Sequence, residues 1–264
     1  MDMLLAIDIG NTNIVIGGIR DNKIVFEARI ATDHIKTSDQ YGVEIKNILS
    51  LFDVKPQDIR DCIISSVVPP VFNSVRTGLV KLIRREPMVV GPGIKTGLNI
   101  QMDTPSQVGS DRIVVAVAAL AEWDPPLILL DLGTATTIEV VGRGNAYLGG
   151  CIIPGVRVSL EALTSRAAQL PGIRLDKPKK VIGKNTVDCM RSGIMYGTAA
   201  MLDGMLDRVE EELGYSATVV ATGGMAQFVV PLCRRKILVD RDLLLKGLNV
   251  LYKKNAPEHR RSET

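Results

Sequence analysis

A chain of 264 residues that is 46% apolar, 23% charged and +3 in net charge has material for one large or two medium globular domains. Its basic residues are spread along the chain, which gives no reason to expect nucleic acid or an anionic membrane as a partner, and no apolar run reaches the roughly 18 residues that span a bilayer. The start has no basic leader, so no secretory signal is expected. Four dispersed cysteines without a CxxC pair read as reduced thiols of a cytoplasmic protein, and two histidines leave little room for a Ser-His-Asp hydrolase or a His-rich metal site.

The chain opens on a buried strand, "MLLAIDIG", followed by two alternating runs, "NIVIGGIR" and "KIVFEARI", joined at the turn pair Asp21-Asn22. A helix is expected over "SDQYGVEIKNILSLF", capped by Ser38, with Ile45, Ile48, Leu49 and Phe52 on one face. Next come the strand "DCIISSVVPP", the helix "VFNSVRTGLVKLIRR", a short strand "PMVVG", a Gly-rich connection, and a long helix "SDRIVVAVAALAEW" capped by Ser110. The pattern then restarts with strands "PLILLDLG", "TATTIEVVG" and "AYLGGCIIPG". Helices over 155–169 and 187–213, the strand "ATVVATGG" and a helix near 240–251 follow, and the polar tail from Lys253 reads as frayed. Two copies of one plan argue an α/β protein with a mixed sheet in each half and a boundary near 112–126.

Each copy ends its first strand in an aspartate before a glycine turn: Asp8 before Gly10-Asn11-Thr12-Asn13, and Asp131 before Gly133-Thr134. Strand C-termini are where open α/β folds bind ligands, and consecutive N–H groups of small-residue turns can surround a phosphate. Two facing carboxylates would repel unless a cation lay between them, and a phosphate held by both turns would bring one. The alternative for either aspartate is a simple turn cap. There is no GxxxxGK[ST], and no strand-linked GxGxxG.

The paired turns resemble the two phosphate motifs of the actin-like ATPase superfamily, which includes sugar kinases, acetate kinase and the large heat-shock chaperones. "TGG" at 222–224 resembles its adenosine motif. Narrower matches, in order along nearly the whole chain, are "DIGNTN" at 8–13, "GSDR" at 109–112, "DLGTATT" at 131–137, "GGCIIPG" at 149–155 and "GKNTVDCMRSG" at 183–193. They are similar to those of type III pantothenate kinases.

The resemblance implies two duplicated ribonuclease H-like domains, divided here as 1–115 and 116–264, and ATP-dependent phosphorylation of pantothenate in the first step of coenzyme A synthesis. It implies Asp111 as general base, at a helix start where the dipole favours a carboxylate. Arg112 would pair with the pantothenate carboxylate. Gly109, Ser110 and Thr186 would line the pantothenate site, although Thr186 could equally cap a helix. It implies ATP phosphates on Asp8, Ile9, Gly10, Asn11, Thr12, Asn13, Ile14 and Val15, with Thr134 adding a hydroxyl and Gly223 lying under adenosine. Asp8 would hold Mg2+ through water, and Asp131 a monovalent cation, K+ or NH4+. It further implies a homodimer with the active site at its interface.

One departure from the family is Met102, where relatives can carry a substrate-contacting tyrosine. Methionine supplies apolar contact without a hydroxyl, and Met102 could also be core. The basic run "KPKKVIGK" reads as a solvated loop. Rival readings are a kinase for another small alcohol, and a non-enzymatic regulator. A pure switch would need the phosphate turns but not Asp111-Arg112.

Overall fold

The structure is a computed structural model and describes residues 2–262. In chain order its elements are β1 (Met3–Ile9), β2 (Asn13–Arg20), β3 (Lys23–Ala31), α1 (Ser38–Leu51), β4 (Ile59–Ser66), α2 (Pro69–Ile83), β5 (Met88–Val89), β6 (Asn99–Ile100) and α3 (Ser110–Glu122). They continue with β7 (Leu127–Leu132), β8 (Ala135–Gly142), β9 (Ala146–Pro154), α4 (Val156–Arg166), α5 (Thr186–Leu213), β10 (Thr218–Thr222), α6 (Ala226–Val229), β11 (Leu238–Val239) and α7 (Leu243–Ser262). These are α/β elements in two mixed sheets, of order β3-β2-β1-β4-β5 and β11-β10-β7-β8-β9-β6.

Both sheets follow one plan. The central strand pairs antiparallel with the hairpin that follows it and parallel with the strand that returns after the next helices: β1 with β2 and β4, β7 with β8 and β10. β1 is buried along its whole length, as expected of a central strand covered on both faces.

The chain divides into two compact units. The first comprises Met1–Gly97, Thr104–Ala121 and Leu243–Thr264; the second comprises Leu98–Asp103 and Glu122–Asp242. This division is not the single cut of 1–115 and 116–264: Leu98–Asp103 falls in the second unit. α3 stays with the first unit as far as Ala121, and the C-terminal helix returns to it.

In the first unit, Met3, Leu5, Ile7 and Ile9 of β1 face α1 and α2. The two helices cross closely at Gly42 and Gly78. A Cβ on Gly78 would stand 2.3 Å from the Ser38 carbonyl oxygen. Thr37, not Ser38, caps α1. Its hydroxyl accepts from the Gln40 N–H, and the Gln40 side chain accepts from the Thr37 N–H, a reciprocal box spelled by the T-x-x-Q spacing. Phe52 is 42% exposed at the end of α1, yet its ring stacks on Phe26 with centroids 4.5 Å apart. The hairpin turn at Asp21-Asn22 has φ of 49° and 66°, the left-handed pair that a tight two-residue hairpin needs.

The opposite face of this sheet receives α7. Leu243, Leu245, Leu248 and Leu251 are at most 1% exposed. Leu245 fills the space over Gly17 of β2, and Gly247 lets α7 press against the Val114 carbonyl of α3. The Tyr252 hydroxyl donates to the buried Asp61 carboxylate at 2.7 Å, and the Asn255 side chain bonds both backbone groups of Lys95. The expected frayed tail is therefore helical through Ser262, and its last two residues lie outside the described ones.

In the second unit, Ile128, Leu130, Leu132 and Ile138 pack against Val156 of α4, Met195, Ala199, Leu202 and Leu206 of α5, and Ala226 and Val229 of α6. α5 is capped by Asn185, whose side chain accepts from the Asp188 N–H, and ends at Gly214 in the left-handed region. Among the described residues no helix is long and apolar enough to cross a membrane, and all four cysteines are free thiols.

Candidate active site

At the C-terminal edge of the first sheet, Val15, Asp8 and Ser65 stand in register on β2, β1 and β4, so their side chains share a face. Asp8 is 6% exposed, at the bottom of an exposed turn formed by Asn11, Thr12 and Asn13. The turn is held at both ends. The Gly10 N–H donates to the Asn13 carbonyl at 3.0 Å. The end of β3 closes over it, with the Thr32 N–H donating to the Thr12 carbonyl at 3.0 Å and the Thr32 hydroxyl to the Gly10 carbonyl at 2.6 Å.

The start of α3 is fastened to the same edge. Ser110 does not cap this helix; it is its first residue, and its hydroxyl is used across the chain. It bonds the Ser65 hydroxyl at 2.9 Å, donates to the Ser66 carbonyl at 3.0 Å and accepts from the Ser66 N–H at 3.2 Å. Because Ser65 is the in-register neighbour of Asp8, these bonds place Gly109, Ser110, Asp111 and Arg112 beside the strand tip that carries Asp8. Asp111 is half-buried, and its carboxylate accepts from the Arg112 N–H at 2.8 Å. Gly109 lies close under that carboxylate: a Cβ there would stand 2.5 Å from it, and Asp111 would have to shift to admit one. The β4 serines and Thr32 are positioning residues that belong to no motif of the sequence. The only hint in the sequence was the Ser-Ser pair at the end of an otherwise apolar strand.

The second sheet repeats the row: Thr222, Asp131 and Thr137 stand in register on β10, β7 and β8. The turn after Asp131 is bound by the Gly133 N–H donating to the Ala135 carbonyl at 3.0 Å, and the end of β9 closes over it through the Gly155 N–H to the Thr134 carbonyl at 3.1 Å. Thr134 is exposed. Gly223 has φ of 91°, and a Cβ there would lie 2.4 Å from a carboxylate oxygen of Asp131, so the TGG turn folds directly onto that carboxylate.

Met102 packs over Gly149, with its sulfur 3.0 Å from where a Cβ would stand. Thr186 is the exposed first residue of α5; it is not the cap, a role taken by Asn185. Within the first unit the structure thus groups residues 8–15 with 109–112. Within the second it groups Asp131, Thr134 and Gly223, while Met102 and Thr186 lie on separate elements of that unit.

No cluster of three or more His, Cys, Asp or Glu side chains suited to a metal occurs among the described residues. A single buried carboxylate beside an exposed phosphate-type turn suits Mg2+, which keeps several waters and binds through one or two carboxylates plus substrate phosphates.

Duplicated mixed sheets with a ligand turn at the tip of each central strand define the class: an α/β protein of the actin-like ATPase and sugar kinase fold. Solved structures agree. A Campylobacter jejuni protein provisionally assigned to the Baf family of transcriptional activators aligns with a TM-score of 0.60 at 19% identity, over 96% of this chain and 99% of that one. Component A of the Acidaminococcus fermentans (R)-2-hydroxyglutaryl-CoA dehydratase aligns with a TM-score of 0.56 at 16% identity, over the whole of both chains. At these identities the likeness is one of fold. The family profile for type III pantothenate kinase matches residues 4–208. A type III pantothenate kinase from Exiguobacterium sibiricum is 46% identical over 96% of this chain and 100% of its own length. The chain belongs to the type III pantothenate kinase family, whose activity is ATP-dependent phosphorylation of pantothenate for coenzyme A synthesis.

Proposed function

We propose that this chain carries out its family's reaction with Asp111 as the base, and that each unit supplies one turn to the phosphates of a single ATP. The observation that carries the reading is the triple bond set of the Ser110 hydroxyl to Ser65 and Ser66, which fixes Asp111 at the edge where the Asp8 turn opens. The N–H groups of residues 10–13 and the Thr12 and Thr134 side chains cradle phosphate oxygens, and the TGG turn underlies adenosine. A groove of about 540 Å³ has Met225, just past that turn, among its lining residues. Its lining mixes apolar Leu160, Ile173, Leu175 and Phe228 with charged Arg157, Glu161, Arg174 and Asp176, so it offers a base both flat contact and polar partners.

Phosphoryl transfer through a loose transition state asks mainly for positioning and charge neutralisation. Asp111 orients the primary hydroxyl of pantothenate and takes its proton as the new bond forms. Arg112 pairs with the pantothenate carboxylate, Gly109 and Ser110 shape the wall beside it, and Met102 and Thr186 contribute an apolar contact and a hydroxyl. When bound, Mg2+ at Asp8 and K+ or NH4+ at Asp131 would offset the negative charge of the phosphates. A cytoplasmic homodimer with its active site at the interface, with neither nucleic acid nor membrane as partner, completes the reading.

The test is a coupled assay of ADP release with Mg2+ and K+ supplied. ADP release that depends on pantothenate is the expected result. Release indifferent to pantothenate overturns the reading and favours another small alcohol or a nucleotide switch.

A further inference from the structure

The second sheet buries a carboxylate that the reaction above does not use. Glu139 of β8 is 2% exposed, and the hydroxyl of Tyr147, itself fully buried on β9, donates to it. A buried polar pair is a poor way to add stability, because an apolar pair of the same size would do as well or better. What hangs on Tyr147 points to what this pair fixes instead.

The backbone of Tyr147 is the anchor of the segment that carries Met102. β6 pairs with β9 only at Asn99 with Ala146 and Ile100 with Tyr147. The next amide, that of Gln101, donates to the Tyr147 carbonyl at 2.9 Å. Met102 then turns its sulfur onto Gly149, two residues further along β9, where φ of 112° and the missing side chain make a seat for it. These bonds tie the segment to β9 through the backbone of Tyr147. A shift of that residue would be passed directly to residues 99–102.

We propose that the Glu139–Tyr147 pair is a positioning device for the substrate wall: by locking the Tyr147 ring it holds residues 99–102 in place and so sets the affinity for pantothenate rather than for ATP. The proposal rests on the reading that Met102 touches pantothenate, and the experiment separates the two.

In full-length protein, Tyr147→Phe removes the hydroxyl and keeps the ring. The expected result is a pantothenate KM raised about tenfold, the size expected when one hydrogen bond to a charged group is lost. kcat and the ATP KM should stay within about twofold. Hydrogen exchange at the amides of residues 99–102 should quicken, with those of Leu4–Ile7 unchanged. If Tyr147→Phe does not fold, Glu139→Asp, which draws the carboxylate back by one methylene, is read in the same way. Unchanged exchange at 99–102 overturns the proposal. So does an equal rise in both KM values, which would mark the pair as general support of the fold. Met102→Ala reports on the underlying reading: if it leaves the pantothenate KM alone, the contact at Met102 is wrong. If it raises that KM while Tyr147→Phe does not, the contact stands and the positioning role falls.

Discussion

The first and second sheets present the same row at the tip of the central strand, a hydroxyl on the returning strand, an aspartate, and the hairpin partner: Ser65–Asp8–Val15 and Thr222–Asp131–Thr137. They diverge immediately beyond it. Between β1 and β2 lie three residues, against two between β7 and β8, so the first turn offers one more backbone amide and three exposed polar side chains. The returning strand differs too. After Ser65 the chain goes directly through Ser66 to Val67, whose N–H donates to the Ile9 carbonyl. After Thr222 two glycines intervene before Met225 makes the matching bond to Leu132. The clamp at the end of the third strand is a threonine with a working hydroxyl in the first unit and a bare glycine in the second. The first turn is thus built as an amide-rich cradle beside an acid on α3. The second is built as a carboxylate with backbone folded close around it, suited to an ion and to a flat ligand lying on glycine. The two units share one frame and differ by one residue more or less at each crossing.

The division can be broken at its strongest point first. Asp111→Asn removes the acid that the first unit alone carries, and turnover should fall by ~10²–10⁴-fold with an unchanged melting temperature; near-normal turnover would dismiss Asp111 as the base. Gly223→Ala imposes a side chain, as Ser66 carries in the first unit, where the backbone is left-handed and Asp131 is in the way. Stability should drop by about 2–4 kcal/mol and ATP-dependent activity should collapse, measured by denaturant titration and ADP release. Thr32→Val makes the first clamp resemble the second by deleting the hydroxyl on Gly10. A loss of about 1 kcal/mol should appear as an ATP KM raised roughly fivefold, with the pantothenate KM unmoved.

Smaller effects sharpen the contrast in the cores. Thr136 pairs with Leu132 where the first unit pairs Ile14 with Ile9. Its hydroxyl is fully buried and has no hydrogen-bond partner among the described residues. Thr136→Val should therefore raise stability by about 1 kcal/mol, read as a higher denaturation midpoint. Last, burial, aided by the charge of Asp203, pushes the Cys233 thiol from 9.0 up to about 12. At pH 9 native protein should alkylate at the exposed Cys189 and spare Cys233. The folded value lies above the unfolded one, so this thiol's contribution to stability is whole below about pH 9 and fades as pH climbs toward 12.

Much of this was legible in the chain because its signals are local. The acid-tipped strands, the Asp21-Asn22 hairpin, the helix that opens at GSDR and the TGG turn each depend on a few consecutive residues. Caps are harder to place: Ser38 lies next to the true cap Thr37, and the alternative of Thr186 as a cap falls to its neighbour Asn185, because several small polar residues in a row compete for one geometric position. Ser110 looked like a cap, but its partners are 44 and 45 residues away. The same limit hid Ser65, Thr32 and the Glu139–Tyr147 pair, whose roles come from register between strands. It also hid the destination of the last helix, since an amphipathic run does not say which sheet it will cover.

The last helix also decides what can stand alone. β1 opens the order of elements and α7 closes it, yet both belong to one unit. Without Leu243–Ser262 the underside of β1 and β2 would have nothing of its own to rest against, and an apolar surface would lie bare. A cut between the units therefore cannot free the first one as a single stretch of chain; it has to be joined from pieces that the second unit separates.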